Sequence, residues 1–220
     1  FMTLKEAMLS RHTVRKYIDR PIDGDIAQKL NERINAHNEK YNLNLKLILN
    51  NETSFNAVYK LILEKNAKNF IILSGPDTSD LNEKLGYCGA DLTLFAQTLG
   101  LNTWWICGTY SKRNVEKLSN GEKVIGIIVV GYGENQGRPH KSKKYDDVAY
   151  YDGNPPQWFT EGIKAALLAP TAVNRQAFKI EGKNDKVKIT YKSGLYSNVD
   201  LGIVKYFFEL GAGKENFTWV

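Results

Sequence analysis

Two distant stretches of the sequence follow the same order of patterns, and this feature constrains the fold most. Leu94–Trp105 and Tyr206–Trp219 each resemble the end of a helix, a Leu-Gly stop and an aromatic strand. Short helices predicted at 4–10 and 158–168 likewise each lead into a polar motif. The sequence therefore predicts two related units about a pseudo-two-fold axis, with chance similarity as the alternative.

Helical and strand periodicities alternate along the chain, which predicts a mixed α and β fold. A capping box at Thr3 and Glu6 opens the first helix. Further helices are predicted from Asp25, over 80–99, after Ser111, after Pro156 and over 199–210. Strands are predicted at 43–49, 70–73, 103–107, 124–130 and on both sides of a turn at 182–185. Residues 131–156 show no periodicity, so we expect a long surface connection there.

The composition is that of a globular protein from a reducing compartment. The chain has 220 residues, 42% of them hydrophobic, enough for a substantial core. Cys88 and Cys107 form no CxxC or Cys/His cluster, so we expect neither a disulfide framework nor a zinc site. Without a long apolar run or a signal-peptide pattern, we expect a cytoplasmic protein that meets no membrane. Phe1 precedes Met2, which we expect to be the native first residue.

Positive charge is concentrated in two places, which favours a small anion as ligand. The net charge is +6. The clusters are Arg11, Arg15 and Lys16, and Lys141, Lys143 and Lys144. Solvated surface is the alternative for the second cluster. A nucleic-acid-binding module is disfavoured because aromatic residues are not interleaved with the basic ones.

The segment RHTVR at 11–15, here called the arginine segment, has a spacing suited to phosphate. In an extended chain Arg11, Thr13 and Arg15 lie on one side, where guanidinium and hydroxyl groups can hold a phosphate together. Surface ion pairs are the alternative.

A second polar motif, APTAVNRQ, follows an apolar helix, and we call residues 170–176 the polar loop. Thr171 and Asn174 can offer a hydroxyl and an amide to a planar ligand, while Pro170 restricts the backbone. The motif is typical of the polar wall of such a ligand site. An ordinary loop at a helix end is the alternative.

Together these motifs resemble the nitroreductase family of flavoenzymes, where an Arg-[Arg/His/Ser]-[Ser/Thr]-x-[Arg/Lys] and a Pro-Ser-x-x-Asn-x-Gln segment converge on one FMN. The similarity extends through GADLTLFAQTLGLNTWWICG at 89–108 and KSKKYDDVAY at 141–150. Within the family the chain resembles the TM nitroreductase branch. The resemblance implies an α+β fold, with a mixed or antiparallel central sheet flanked by helices and two related halves.

The order of the motifs departs from the usual family pattern. The Pro-Ser-x-x-Asn segment normally lies near the amino terminus, whereas its counterpart here begins at Pro170. In the usual homodimer the two motifs come from different subunits, so one chain is expected to imitate the dimer, as a monomer with one flavin. Residues 2–150 would form one half and 151–220 the other. Thr171 keeps the hydroxyl of the usual Ser, but Ala177-Phe178 replaces the usual Pro-Trp.

The resemblance also implies roles for individual residues. The arginine segment, with Arg11, His12, Thr13 and Arg15, would bind the phosphate and pyrimidine side of FMN, and Lys141 and Lys143 would add charge. The polar loop would lie against the ring and ribityl chain. The backbone of Cys107 and Gly108 would approach flavin N5. The candidate ligands in the second half are Pro170, Thr171, Ala172 and Asn174.

The function implied is an FMN-dependent NAD(P)H oxidoreductase that reduces an electron-poor acceptor such as a nitroaromatic or quinone. A flavin carries the hydride chemistry itself, so no catalytic side chain is expected. The alternative is a flavin-storing or redox-sensing protein that binds FMN with little turnover.

Overall fold

The computed structural model describes residues 1–51 and 65–220, and confirms the predicted α+β class. This part of the chain contains seven α-helices and two four-stranded sheets. The helices are α1 Leu4–Ser10, α2 Gly24–Tyr41, α3 Leu81–Thr98, α4 Lys112–Leu118, α5 Tyr145–Val148, α6 Gln157–Ala166 and α7 Ser197–Ala212. The strands are β1 Lys46–Ile48, β2 Phe70–Gly75, β3 Asn102–Ile106, β4 Lys123–Gly131, β5 Ala149–Tyr151, β6 Phe178–Lys183, β7 Lys186–Tyr191 and β8 Thr218–Trp219. Within these residues no helix is long and apolar enough to cross a bilayer.

Residue contacts group the described chain into two compact units. The first unit comprises Phe1–Met2, Ser10–Leu81 and Leu92–Pro139, and the second comprises Thr3–Leu9, Asn82–Asp91 and His140–Val220. Residues 140–150, which the sequence analysis assigns to the first half, therefore group with the second unit. Helix α3 contributes residues to both units.

The first unit contains an antiparallel sheet in the order β1-β2-β4-β3. One face carries a core of alternate strand residues, among them Phe70, Ile127 and Trp104. A second core places Leu30 of α2 beside Val130 of β4. Because side chains alternate across a strand, β4 supplies both cores, with Ile127 on one face and Val130 on the other.

The second unit contains a mixed sheet in the order β5-β6-β7-β8. Strands β6 and β7 form an antiparallel hairpin, while β5 and β8 are added at the two edges in parallel orientation. An aromatic cluster supports this sheet. It includes a stacked pair, Trp158 and Phe217, and edge-to-face contacts of Phe208 with Phe159 and Phe217.

Within the second unit, α3 and α7 approach each other through two glycines. A Cβ atom at Gly86 would lie 2.0 Å from the carbonyl oxygen of Val199. One at Gly202 would lie 2.0 Å from the carbonyl oxygen of Glu83. Only glycine allows backbones this close, so these two residues fix where the helices pack.

The order of elements agrees with the predicted repeat, but the strand pairing differs. An antiparallel strand pair, a long helix and a strand occur as β1, β2, α3, β3 and again as β6, β7, α7, β8. Strand β3 pairs antiparallel with β4, whereas β8 pairs parallel with β7. The two edges are therefore completed in different ways.

Several local predictions are confirmed and several are wrong. The Thr3–Glu6 capping box forms, and Gly100 ends α3 with φ of 81°. The cap residue of α2 is Asp23 rather than Asp25. The predicted strand 43–49 shortens to β1. The predicted connection 131–156 contains α5 and β5, because β5 pairs with β6, a partner remote in sequence.

Candidate functional site

The arginine segment runs beside strand β3 in the first unit. Thr13 pairs with Thr103 in an isolated parallel bridge, and the Val14 amide donates to the Thr103 carbonyl at 3.1 Å. Val14 packs in the core, which turns its neighbours away from it. The segment is therefore extended and anchored, as the spacing of Arg11, Thr13 and Arg15 requires.

Arg11 is the most unusual residue of this segment. Its side chain is buried, with 5% of the residue exposed. Among the described residues, neither Nε nor Nη1 has a hydrogen-bond partner. Burial lowers the pKa of Arg11 from 12.5 to about 10. A buried guanidinium is costly unless an anion compensates it, so this position calls for a negatively charged partner.

Strand β3 adds two further buried donors. Trp104 and Ile106 face the core, so Thr103 and Trp105 lie on the opposite face of the strand. The hydroxyl of Thr103 and the indole nitrogen of Trp105 are buried and lack partners within residues 1–51 and 65–220. Sequence reasoning missed both residues, since the apolar pattern of β3 marks them only as strand.

His12 and Arg15 are engaged with the protein itself. His12 Nδ1 lies 3.1 Å from the carbonyl oxygen of Gln136. The loop that carries Gln136 is held to β3, because Asn102 Nδ2 donates to Gln136 Oε1 at 3.0 Å. Arg15 is exposed, with its guanidinium carbon 5.4 Å from the centre of the Trp104 ring. Arg11 and Arg15 are thus in very different environments.

Cys107 and Gly108 directly follow β3, where the strand ends in a bend. Cys107 is half-buried beside Gly126 of β4, and Gly108 is exposed. The exposed backbone of Gly108 is accessible to a ligand, as the predicted approach to flavin N5 requires.

In the second unit the polar loop has a strained backbone. Val173, Asn174 and Gln176 have φ of 46°, 56° and 46°. A β-branched residue such as valine rarely adopts positive φ, because its Cβ substituents then meet the backbone. The side chain of Val173 is exposed, so core packing does not impose this conformation. Strain of this kind occurs at functional sites where surrounding contacts hold it.

Gln176 connects the polar loop to the basic segment at 141–143. It is buried, and its Oε1 accepts from the Lys143 amide at 2.8 Å. Its Nε2 donates to the Lys141 carbonyl at 2.8 Å, and Asn174 Nδ2 donates to the same carbonyl at 2.9 Å. The Lys143 ammonium donates to the Gln176 carbonyl at 3.0 Å. The predicted ligands Lys141, Lys143 and Asn174 are thus brought together.

A carboxylate that the sequence analysis overlooked supports the start of the polar loop. The Ala172 amide donates to Asp200 Oδ1 at 3.0 Å and to Oδ2 at 3.2 Å. The Tyr191 hydroxyl donates to Oδ2 at 2.9 Å. Asp200 lies in the first turn of α7, where an acidic residue is typical of any helix start, so no local signal reveals this contact.

The predicted site residues therefore form two sets, one in each unit. In the first unit the arginine segment lies beside the strand that leads to Cys107 and Gly108. In the second unit the polar loop is bound to residues 141–143. Each set contains polar side chains whose positions are not explained by packing of the hydrophobic core.

A known family matches almost the whole chain. The family described as "Putative TM nitroreductase" matches residues 3–212. The chain belongs to this family. This confirms the resemblance drawn from RHTVR and APTAVNRQ. The nitroreductase family indicates an oxidoreductase, and its members are typically flavin-dependent.

Solved structures agree on the fold of this nitroreductase-family chain. A "putative nitroreductase" from Thermotoga maritima has a TM-score of 0.72 and 21% identity, covering 97% of this chain and 85% of that one. A "Putative NADH dehydrogenase/NAD(P)H nitroreductase" from Parabacteroides distasonis has a TM-score of 0.53 and 19% identity, covering 67% of this chain and 96% of that one. A nitroreductase-like protein from Bacillus cereus has a TM-score of 0.51 and 16% identity, covering 67% and 94%. The search of curated proteins gave no match.

Proposed function

We propose that this chain is an FMN-dependent oxidoreductase that takes hydride from NAD(P)H and reduces a small electron-poor acceptor, such as a nitroaromatic or quinone. When bound, FMN supplies the hydride chemistry, accepting hydride from the nicotinamide and passing it on. The protein supplies binding, position and electrostatics. The cytoplasm remains the proposed location, because two cysteines without a disulfide pattern suit a reducing compartment.

The observation that carries the proposal is the buried guanidinium of Arg11. Two of its nitrogens lack partners among the described residues, although the residue is almost fully buried. The phosphate of FMN carries up to two negative charges and accepts hydrogen bonds, so it suits this environment. Thr103 and Trp105 offer additional donors on β3. The residues present therefore fit an anionic, hydrogen-bonding cofactor.

Within the first unit we assign Arg11 and Thr13 to the phosphate. Arg15, which the sequence spacing places on the phosphate with them, is exposed, so we assign it with His12 to the neighbouring pyrimidine side. There the guanidinium of Arg15 would stabilise negative charge on the bound cofactor. The exposed backbone at Cys107–Gly108 is assigned to the N5 edge.

Within the second unit we assign the polar loop to the ring and ribityl chain. Asn174 Nδ2 carries two protons, of which one is donated to the Lys141 carbonyl, so a second can serve the ligand. The Thr171 hydroxyl accepts from the Gln176 amide at 3.0 Å and retains further capacity. Pro170 and Ala172 contribute shape, and Lys141 contributes charge. Loss of ligands from either unit is therefore expected to weaken FMN.

The share of this chain that shorter solved structures cover supports the proposal that one chain imitates a dimer. The Parabacteroides and Bacillus chains are covered almost completely, yet they account for only two thirds of this chain. The remaining third is long enough to supply what a partner subunit would supply. We therefore propose a monomer with one flavin.

Turnover tests the proposed function directly. The purified protein, loaded with FMN, is mixed anaerobically with NADH or NADPH, and the visible flavin absorbance is followed. We expect bleaching, then recovery of the colour when a quinone or nitroaromatic is added. No dinucleotide-binding fingerprint occurs in the sequence, so both substrates are expected to use the same flavin face and to give ping-pong kinetics.

Two results would contradict this proposal. A protein that retains no FMN at micromolar concentrations would remove its basis. A protein that binds FMN tightly, but whose flavin neither nicotinamide reduces, would instead support the storage or sensing alternative.

A further inference from the structure

Asp200 occupies a central position in the second unit although it belongs to no recognised motif. Only 2% of the residue is exposed. Its carboxylate receives the Ala172 amide and the Tyr191 hydroxyl, and its own amide donates to the Tyr196 carbonyl at 3.0 Å. One residue thus joins the polar loop, strand β7 and the start of α7.

The polar loop needs such support at its beginning, because the side chains of Asn174 and Gln176 bind residues outside the loop only near its end. Val173 is 92% exposed and makes no core contact that would compensate for its positive φ. The end of the loop is held by Gln176 and the Lys141 carbonyl. At the beginning of the loop, Asp200 accepts a hydrogen bond from the Ala172 amide. Among the described residues, no other side chain outside the loop is seen to do this for a backbone amide there.

We infer that Asp200 is a positioning residue that holds the strained polar loop in its ligand-binding conformation through the Ala172 amide and Tyr191. The inference rests on the proposed function for the identity of the ligand, whereas the support that Asp200 gives to the loop does not depend on that function. Tyr191 extends the connection, since its hydroxyl also interacts with the Thr171 side chain. Asp200 therefore influences both Thr171 and Ala172 without itself being assigned to the flavin.

The protonation of Asp200 should control how strongly it holds the loop. Burial raises its pKa from 3.8 to about 6, while the hydrogen bonds from Ala172 and Tyr191 and the charge of Arg175 act in the opposite direction. Because those hydrogen bonds favour the charged form, the charged form in turn strengthens them. Nearby on α3 and α7, Glu83 and Lys205 pair with each other. The hold is thus expected to weaken as the pH falls through about 6.

The pH dependence of global stability has the opposite sign. The native pKa lies above the unfolded value, so the native state binds the proton more tightly. This carboxyl therefore contributes most to stability below about pH 4, and its contribution is lost as the pH rises to about 6. A loosened loop in acid would therefore not be explained by a loss of stability from this carboxyl.

Trypsin provides a test that needs no flavin, because Arg175 lies within the polar loop. The flavin-free full-length protein is digested at pH 7.5, and cleavage after Arg175 is followed by mass spectrometry. Asp200→Asn is expected to accelerate this cleavage about tenfold, the usual effect of losing a hydrogen bond to a charged acceptor. Asp185→Asn removes an exposed carboxylate from the β6–β7 turn and is the matched control, with no change expected.

Flavin affinity as a function of pH provides the second measurement. FMN and riboflavin are titrated between pH 5 and 8, because riboflavin lacks the phosphate, whose own titration near pH 6 would otherwise interfere. For the wild type we expect both affinities to fall about tenfold below pH 6. The fall should be absent for riboflavin in Asp200→Asn. Tyr191→Phe removes a hydrogen bond that lowers the pKa of Asp200. In this variant the fall in riboflavin affinity should therefore have its midpoint at a higher pH than in the wild type.

The outcomes separate this inference from the proposed function. Faster cleavage after Arg175 in Asp200→Asn supports the positioning role even if no flavin binds, in which case only the proposed function fails. Unchanged cleavage in both Asp200→Asn and Tyr191→Phe would overturn the positioning role, whatever the flavin affinity. If Asp200→Asn does not fold, the test rests on Tyr191→Phe alone. In that case an unshifted pH midpoint of its riboflavin affinity overturns the inference.

Discussion

The arginine segment and the polar loop are predicted to serve one ligand, yet they are built in contrasting ways. The arginine segment has an ordinary extended backbone and a buried side chain, Arg11, with nitrogens that lack partners among the described residues. The polar loop has an unusual backbone, while its principal side chains, Asn174 and Gln176, are hydrogen-bonded within the unit. The arginine segment therefore has a buried charge that favours an anion, and the polar loop has a strained backbone conformation.

The contrast suggests a division of labour between the two regions. An uncompensated buried cation provides affinity for an anion, and its cost is recovered only when the anion binds. A loop fixed in advance by its own hydrogen bonds provides shape, because little ordering remains when the ligand arrives. Substitution of Arg11 should therefore change stability and affinity in opposite directions, whereas substitutions that remove hydrogen bonds of the polar loop should lower both.

The largest effect on stability is expected from Arg11→Met. Methionine has a similar length without charge, so the flavin-free protein should gain about 1–4 kcal/mol in its free energy of unfolding. Urea denaturation of the flavin-free protein measures this. Arg113→Met, at an exposed position on α4, is the control and should change little. A loss of stability in Arg11→Met would mean that the guanidinium has a compensating partner in the native chain.

Gln176→Ala should have the next largest effect, with the opposite sign. It removes the acceptor of the Lys143 amide and one of the two donors to the Lys141 carbonyl, and each lost hydrogen bond costs about 0.5–1.5 kcal/mol. Thermal unfolding of this variant and of the exposed control Gln157→Ala provides the comparison. Equal stability of the two variants would show that the polar loop is not held from its end.

The sequence predicts those parts of the fold that depend on local chemistry. The Thr3–Glu6 cap, the Gly100 stop and the turn at 182–185 each involve neighbouring residues, and all three appear. Strand β5 could not be predicted, because it depends on parallel pairing with β6, about thirty residues away. The same limit applies to the site. The motifs indicate Arg11 and Thr171, but the contact between Asp200 and Ala172 spans 28 residues and has no local pattern.

The conformation of Val173 was also beyond prediction, because its residue type opposes positive φ. Val173→Asn should therefore stabilise the protein by about 1 kcal/mol, since asparagine tolerates this conformation. Leu195→Asn, at another exposed apolar position in the same unit, is the control for the change in polarity. Urea denaturation at pH 7 measures both. Equal shifts in the two variants would show that polarity, and not backbone strain, is responsible.

The smallest effect on stability is expected from Arg15→Ala. The guanidinium lies over Trp104 at an exposed site, where a cation–π contact contributes about 0.5–1 kcal/mol. Its FMN dissociation constant should rise only a few-fold, because solvent screens the charge. An effect on FMN affinity larger than that of Arg11→Met would reverse the roles assigned to the two arginines.

The central claim is that the buried charge of Arg11 is there to hold an anionic cofactor. It is tested most directly by titrating FMN into the flavin-free wild type, Arg11→Met and the control Arg113→Met, using flavin fluorescence at constant salt. We predict that Arg11→Met raises the FMN dissociation constant at least tenfold, as expected for a lost hydrogen bond to a charged group, while Arg113→Met leaves it unchanged. Equal FMN affinity in the wild type and Arg11→Met would contradict the account.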